Sequence, residues 1–185
     1  MGKILIYLYN QMADFEMTFA TTTMIWLKKE VITISNENKT VKAYSGLQYQ
    51  PHMTVSEALS LEDIDGLIIP GGWERELTPN LKTLIEKLNT EKKLLCAICA
   101  GPQFLANAGV LNEVQFTTTL TKESLANDNL EDFFNWDHFI REKVVRDQNI
   151  ITALGNAFID FAIEILDYFN AFEDANQKEF YRKQY

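Results

Sequence analysis

Short, continuous apolar runs are the feature that most constrains this chain. Lys3–Tyr9 (KILIYLY), Asp65–Pro70 (DGLIIP) and Leu94–Ile98 (LLCAI) show no alternation of polar and apolar residues. Runs of this length, rich in β-branched and aromatic residues, suit strands buried on both faces rather than strands with one wet side. Helical patterns separate them. Residues 14–29 carry Phe15, Phe19 and Trp26 at roughly helical spacing, with Lys28 and Lys29 at the end. Leu81, Leu84, Ile85 and Leu88 make one apolar face of a second helix, with Thr78 as cap and Pro79 as first residue. Residues 156–172 form the clearest pattern, a stripe of Phe158, Phe161, Ala162, Ile165, Phe169 and Phe172.

The remaining segments fill in the order. Glu30–Ser35 reads as a strand, and Thr40–Ser45 and Gln48–Met53 as short strands around Gly46. Residues 100–108 read as a helix and Val114–Thr118 as a strand. Residues 121–140 read as broken helical pieces, 144–151 as a hairpin, and 173–185 as a charged surface helix. Strands alternating with helices of this length imply βαβ units, a mainly parallel sheet and helices on both of its faces. The expectation is one α/β domain over residues 1–185. Ligands bind at the carboxyl ends of the strands in such sheets. That rule points to residues 9–16, 70–73 and 98–102.

Composition narrows the function. The chain has 185 residues, 26 acidic against 17 basic, and a formal net charge of −9. Nucleic acid and anionic membranes would repel it, so neither is expected as a partner. Two cysteines build no disulfide framework. No apolar window is long enough to span a bilayer, and no secretory signal is visible, so the expected compartment is the cytoplasm. No phosphate-loop or dinucleotide fingerprint is present, and neither His52 nor His138 has metal-ligand spacing. The expectation is no cofactor and no metal.

Chemistry concentrates at Cys99. In Cys96-Ala97-Ile98-Cys99-Ala100-Gly101-Pro102 an apolar strand runs into a small-residue turn and then a helix. That is the layout of a nucleophile elbow. The helix start offers amide donors and a positive dipole end, both favouring a thiolate. The bland alternative is a buried small hydrophobe. The C-x-x-C spacing is not read as a redox pair: with Cys96 inside a strand, the two residues lie roughly 10 Å apart, beyond disulfide reach. Glu16, one turn after the first strand, reads by its pattern as a surface carboxylate favoured at a helix start. Pro70-Gly71-Gly72 could offer backbone donors beside the elbow. His138 is a candidate base, and the aromatic residues around it read as packing.

Taken together, Lys3–Tyr9, Ala13-Asp14-Phe15-Glu16, Asp65–Gly72, the segment AICAGP at 97–102 and NIITALGNAFIDF at 149–161 resemble the ThiJ/PfpI superfamily over essentially the whole chain. This group is related to class I glutamine amidotransferases and includes the Parkinson-associated deglycase and the PfpI intracellular protease. The resemblance implies a flavodoxin-like three-layer α/β sandwich, Cys99 as nucleophile, Glu16 as the carboxyl bonded to it, and backbone donors from Gly72 and Ala100. It also implies a homodimer, which the surplus of aromatic helix faces favours. The chain departs from the pattern in one respect: Thr119 stands where many members carry a histidine. Threonine is a poor proton shuttle, which argues against protease-like activity. Two readings remain open. One is a cysteine hydrolase acting on a peptide or a small molecule, of protease/amidase or glyoxalase/deglycase type. The other is a non-catalytic oxidation sensor whose Cys99 becomes a sulfinate.

Overall fold

The computed structural model describes residues 2–184. Strand β1 (Lys3–Tyr7) is followed by helix α1 (Phe15–Met24), β2 (Glu30–Ser35), the hairpin β3 (Val41–Lys42) and β4 (Gln48–Tyr49), then β5 (Met53–Thr54) and α2 (Val55–Ala58). Next come β6 (Ile64–Ile69), α3 (Pro79–Thr90), β7 (Leu94–Ile98), α4 (Pro102–Asn107) and α5 (Lys122–Asn127). The hairpin β8 (Val144–Asp147) and β9 (Ile150–Ala153), then α6 (Phe158–Tyr168) and α7 (Ala175–Gln184), complete the order. Seven strands form one sheet in the order β5-β2-β1-β6-β7-β9-β8. All neighbouring pairs are parallel except β8 with β9.

The architecture is a flavodoxin-like α/β fold. The three apolar runs became its central strands β1, β6 and β7, with every residue of β7 buried. α6 packs against both α1 and α7, and α3 against both α2 and α4. The predicted face of α3 is buried at all four positions, Leu81, Leu84, Ile85 and Leu88. Phe161, Ala162 and Ile165 of α6 are likewise buried, whereas Phe169 and Phe172 lie beyond the helix end.

Several segments differ from expectation, among them Gln48–Met53, which splits into β4 and the start of β5 in two separate sheets. α1 stops at Met24 rather than at residue 29, because Lys28 takes a left-handed conformation (φ 53°) and Lys29 N–H closes back onto the Met24 carbonyl. Lys29 then pairs with Asp65 at 2.5 Å instead of continuing the helix. Thr78 sits at the cap of α3, but its hydroxyl donates to Asn36 at 2.9 Å and caps nothing. The helix expected over 100–108 begins only at Pro102. Residues 114–118 make no strand. The amides of Gln115 and Thr117 bond to the side chains of Asp147 and Thr152, and only an isolated bridge joins Phe116 to Phe139. Of the predicted tail helix, Tyr185 lies outside the described residues.

Phe161 is fully buried, on the face that α6 presents to the sheet and to α1. Truncating it removes a large ring that the rigid sheet cannot collapse to replace. Phe161→Ala should cost about 3–5 kcal/mol in urea unfolding; a cost of about 1 kcal/mol or less would show that this interface is loosely packed.

Candidate active site

The sheet delivers its reactive groups at the carboxyl ends of β1, β6 and β7. Cys99 directly follows β7 and holds φ at +62°, a conformation that costs an L-residue free energy and that the elbow turn requires. Its backbone is clamped from three sides. Its N–H donates to the Ala153 carbonyl (2.8 Å), and its carbonyl accepts from Thr119 N–H (3.0 Å) and the Thr118 hydroxyl (2.8 Å). The side chain is half-buried, whereas Cys96 is fully buried inside β7 between Ile68 and Ile151. Both cysteines are free.

Glu16, the second residue of α1, is 1% exposed. Its carboxylate accepts the Gly71 amide at 2.6 Å and hydrogen-bonds the Cys99 side chain. No side chain fits at Gly71. A Cβ there would lie 2.6 Å from Cys99 Cβ and 2.8 Å from Glu16 Oε2. Gly155 closes the other side, where a Cβ would meet Cys99 Sγ at 2.9 Å and Glu16 Oε1 at 3.0 Å. Tyr9 secures the loop below by donating to the Pro70 carbonyl.

Burial raises the Glu16 carboxyl to about 7, although its bonds to Cys99 and Gly71 pull the other way. Burial also raises the Cys99 thiol to about 11, helped by the charge and hydrogen bond of Glu16 and opposed by the Thr119 hydroxyl and the Ala100 amide. This corrects the expectation that the elbow by itself favours a thiolate. α4 is short and begins with Pro102, which has no N–H, and the Gly101 amide is spent on the Ile98 carbonyl. Two adjacent acids in a dry site share a proton over the interval between their titrations. Glu16 is the stronger acid of the two, so that proton rests mainly on the sulfur, and a thiolate forms when it transfers to Glu16.

Thr119 does reach the sulfur. Its hydroxyl accepts from Gly155 N–H at 3.1 Å and bonds to Cys99. The Ala100 amide also points at Cys99. The Gly72 amide borders the same cleft and has no protein acceptor among the described residues. His138 is elsewhere. It sits in a single turn of 3-10 helix (Trp136–His138) whose aromatic neighbours Phe134, Trp136 and Phe139 pack on Phe116. His52, just ahead of β5, accepts the Thr33 amide of β2 at 3.0 Å. Among the described residues no histidine lines the cleft, and no cluster of His, Cys, Asp and Glu could hold a metal ion.

The cleft over Cys99 has a volume of about 620 Å³ and a largely apolar wall including Phe15, Leu120 and Phe158. Arg75 and Asp128 also line it; the sequence singled out neither, because nothing in their local pattern marks them. A second cleft of about 760 Å³ opens beside it over the ends of β1 and β2, sharing Trp73 and Arg75 but holding no cysteine.

The proton on Glu16 has a consequence for stability. With its carboxyl at about 7 against an ordinary 4.5, the folded state binds more protons than the unfolded state between these values. Its contribution is present below pH 4.5 and lost as pH rises through 7. At about 1.4 kcal/mol per tenfold change this amounts to about 3 kcal/mol. Glu16→Gln has no proton to lose, so its stability relative to the native chain should rise by about that much between pH 4.5 and 8. Urea unfolding across this range measures it, and parallel curves for the two proteins would contradict the placement of Glu16.

The comparisons with known proteins agree with the motifs. The family model for the DJ-1/PfpI family matches residues 2–168. An uncharacterized protease, YoaZ of Bacillus subtilis, is 25% identical over 97% of this chain and 89% of its own length. Deglycase PfpI of Pyrococcus furiosus is 27% identical over 82% of this chain and 89% of its own. Among solved structures, the DJ-1 superfamily protein Atu0886 from Agrobacterium tumefaciens superposes with a TM-score of 0.81 at 28% identity, covering 97% of this chain and 95% of that one. Drosophila melanogaster DJ-1beta, at 21% identity and a TM-score of 0.77, shares the fold. With the elbow, the buried carboxyl and a match over nearly its whole length, the chain belongs to the DJ-1/PfpI family.

Proposed function

We propose that this protein is a cysteine-dependent enzyme of the glyoxalase/deglycase kind, acting on small carbonyl compounds through Cys99. The observation that carries the reading is the buried Glu16 carboxyl bonded to Cys99 and raised to about 7. A carboxyl poised there can hold the thiol proton near neutral pH and return it to the substrate. In the first step the Cys99 sulfur forms a bond to the carbonyl carbon. The C=O π pair moves onto oxygen, and that oxygen takes the proton held by Glu16, giving a hemithioacetal. The amides of Gly72 and Ala100 would stabilise the developing oxyanion, and the Thr119 hydroxyl would orient the sulfur. Peptide hydrolysis asks for more, since a poor amine leaving group must be protonated. No histidine among the described residues lines the cleft to do so. Relatives named as a protease and as a deglycase support hydrolase-type chemistry without choosing between these substrates.

The same lack of a histidine supports a second reading, an oxidation sensor in which Glu16 holds a Cys99 sulfinate. We further propose a cytoplasmic homodimer with no cofactor and no nucleic-acid or membrane partner. Among the described residues no helix is long and apolar enough to cross a membrane. Light scattering near twice 21.3 kDa tests the dimer.

Methylglyoxal turnover should be measurable and should fall at least about a thousandfold in Cys99→Ala, while casein cleavage stays at background. Robust casein cleavage lost in Cys99→Ala would overturn the choice of substrate. Absence of dicarbonyl turnover, together with peroxide converting Cys99 to a sulfinate while Cys96 stays a thiol, would favour the sensor.

A further inference from the structure

Arg75 has no role in the chemistry above, yet the fold holds it at the mouth of the reactive cleft. Its Nε donates to Gln103 Oε1 at 2.6 Å, and its Nη1 donates to the Gly72 carbonyl. Gln103 is 4% exposed and belongs to α4, the helix that follows the elbow. The guanidinium is therefore fixed to the Gly72 loop and to the helix that follows the elbow, and by neutral acceptors only. Arg146 and Arg182 are each engaged with carboxylates. Arg75 pairs with none among the described residues, although Glu74 and Glu76 flank it in a chain of net charge −9.

A half-buried guanidinium with donors to spare and no counter-ion is completed by an oxyanion. The acids facing the same space are Glu16, which shares its proton with Cys99, and Asp128 across the wall. Glu74 and Glu76 line the neighbouring cleft. Arg75 is the one cationic side chain among the described residues lining the Cys99 cleft. We infer that the cleft selects small carbonyl compounds that carry an oxyanion, a carboxylate or a phosphate ester, and that Arg75 is the residue that binds it. This rests on the reading of Cys99 as a nucleophile for small carbonyl compounds and names the class of substrate.

Alkylation of Cys99 tests the inference without requiring turnover. Iodoacetate and iodoacetamide differ in charge and little in size, so their rate ratio reports the charge beside the sulfur and cancels the reactivity of the thiol itself. The iodoacetate-to-iodoacetamide ratio should exceed that of glutathione about tenfold or more. Arg75→Met should bring it to the glutathione value, and Arg75→Lys should keep part of the preference. Cys96, read by peptide mass spectrometry in the same samples, reports folding by staying unlabelled. Should Arg75→Met label Cys96, the lysine variant and the native protein decide the matter. Millimolar acetate or inorganic phosphate should slow iodoacetamide labelling of the native protein. Protection by acetate identifies a carboxylate, and protection by phosphate a phosphate ester. A native ratio equal to that of glutathione, an unchanged ratio in folded Arg75→Met, or protection by neither anion would overturn the inference. A charge-selective Cys99 in a protein that turns over no carbonyl compound would instead overturn the proposed function and leave an anion site.

Discussion

The site depends on one contact, the hydrogen bond between the buried carboxyl of Glu16 and the sulfur of Cys99. Neither group is comfortable alone. A carboxylate that is 1% exposed is costly to ionise, and a cysteine at φ +62° stores backbone strain of order 1–2 kcal/mol. The surrounding structure over-determines both. Three hydrogen bonds fix the Cys99 backbone, the Gly71 amide fixes the carboxylate, and two glycines bring the chain close enough that any side chain would collide with the pair. The strain is local, and the bonds that offset it come from the ends of β6 and β9 and from the Thr118–Thr119 segment.

The sheet makes that convergence possible. β1, β6 and β7 lie side by side and parallel, so the segments following them emerge together. α1 starts soon after β1 and brings Glu16 inward with its first turn. β6 runs into Pro70-Gly71, β7 into Cys99, and β9 into Gly155. Burying the strands on both faces keeps the sheet rigid, which holds the acid, the sulfur and the amides to the tolerance that proton transfer needs. The cost falls on the thiol, since the environment that keeps Glu16 protonated near neutrality also pushes the Cys99 titration upward.

What was legible in the sequence follows from what is local. The uninterrupted runs at 3–9, 65–70 and 94–98 define buried parallel strands on their own, and the α3 face is legible from its spacing. The elbow is legible because small residues must flank a sharp turn. Glu16 was not distinguishable from a surface acid by pattern, and only the family motif singled it out. Gly71 was hidden behind Gly72, because the sequence does not say which of two adjacent amides turns toward the carboxylate. Arg75, Asp128 and Gly155 reach the cleft through tertiary contacts that leave no local signature. The missed ends have the same origin. α1 ends early because Lys29 is claimed by Asp65, and residues 114–118 form no strand because side chains of the β8–β9 hairpin take their amide protons.

The central claim is that Glu16 holds a proton beside Cys99 at neutral pH. Carbon-13 NMR of the Glu16 carboxyl, assigned by comparison with Glu16→Gln, tests it most directly. The account predicts a titration with its main midpoint near the value of about 7 set by burial, and a second, smaller inflection at higher pH as Cys99 ionises. A single midpoint near the ordinary 4.5, with no response to Cys99, would contradict it.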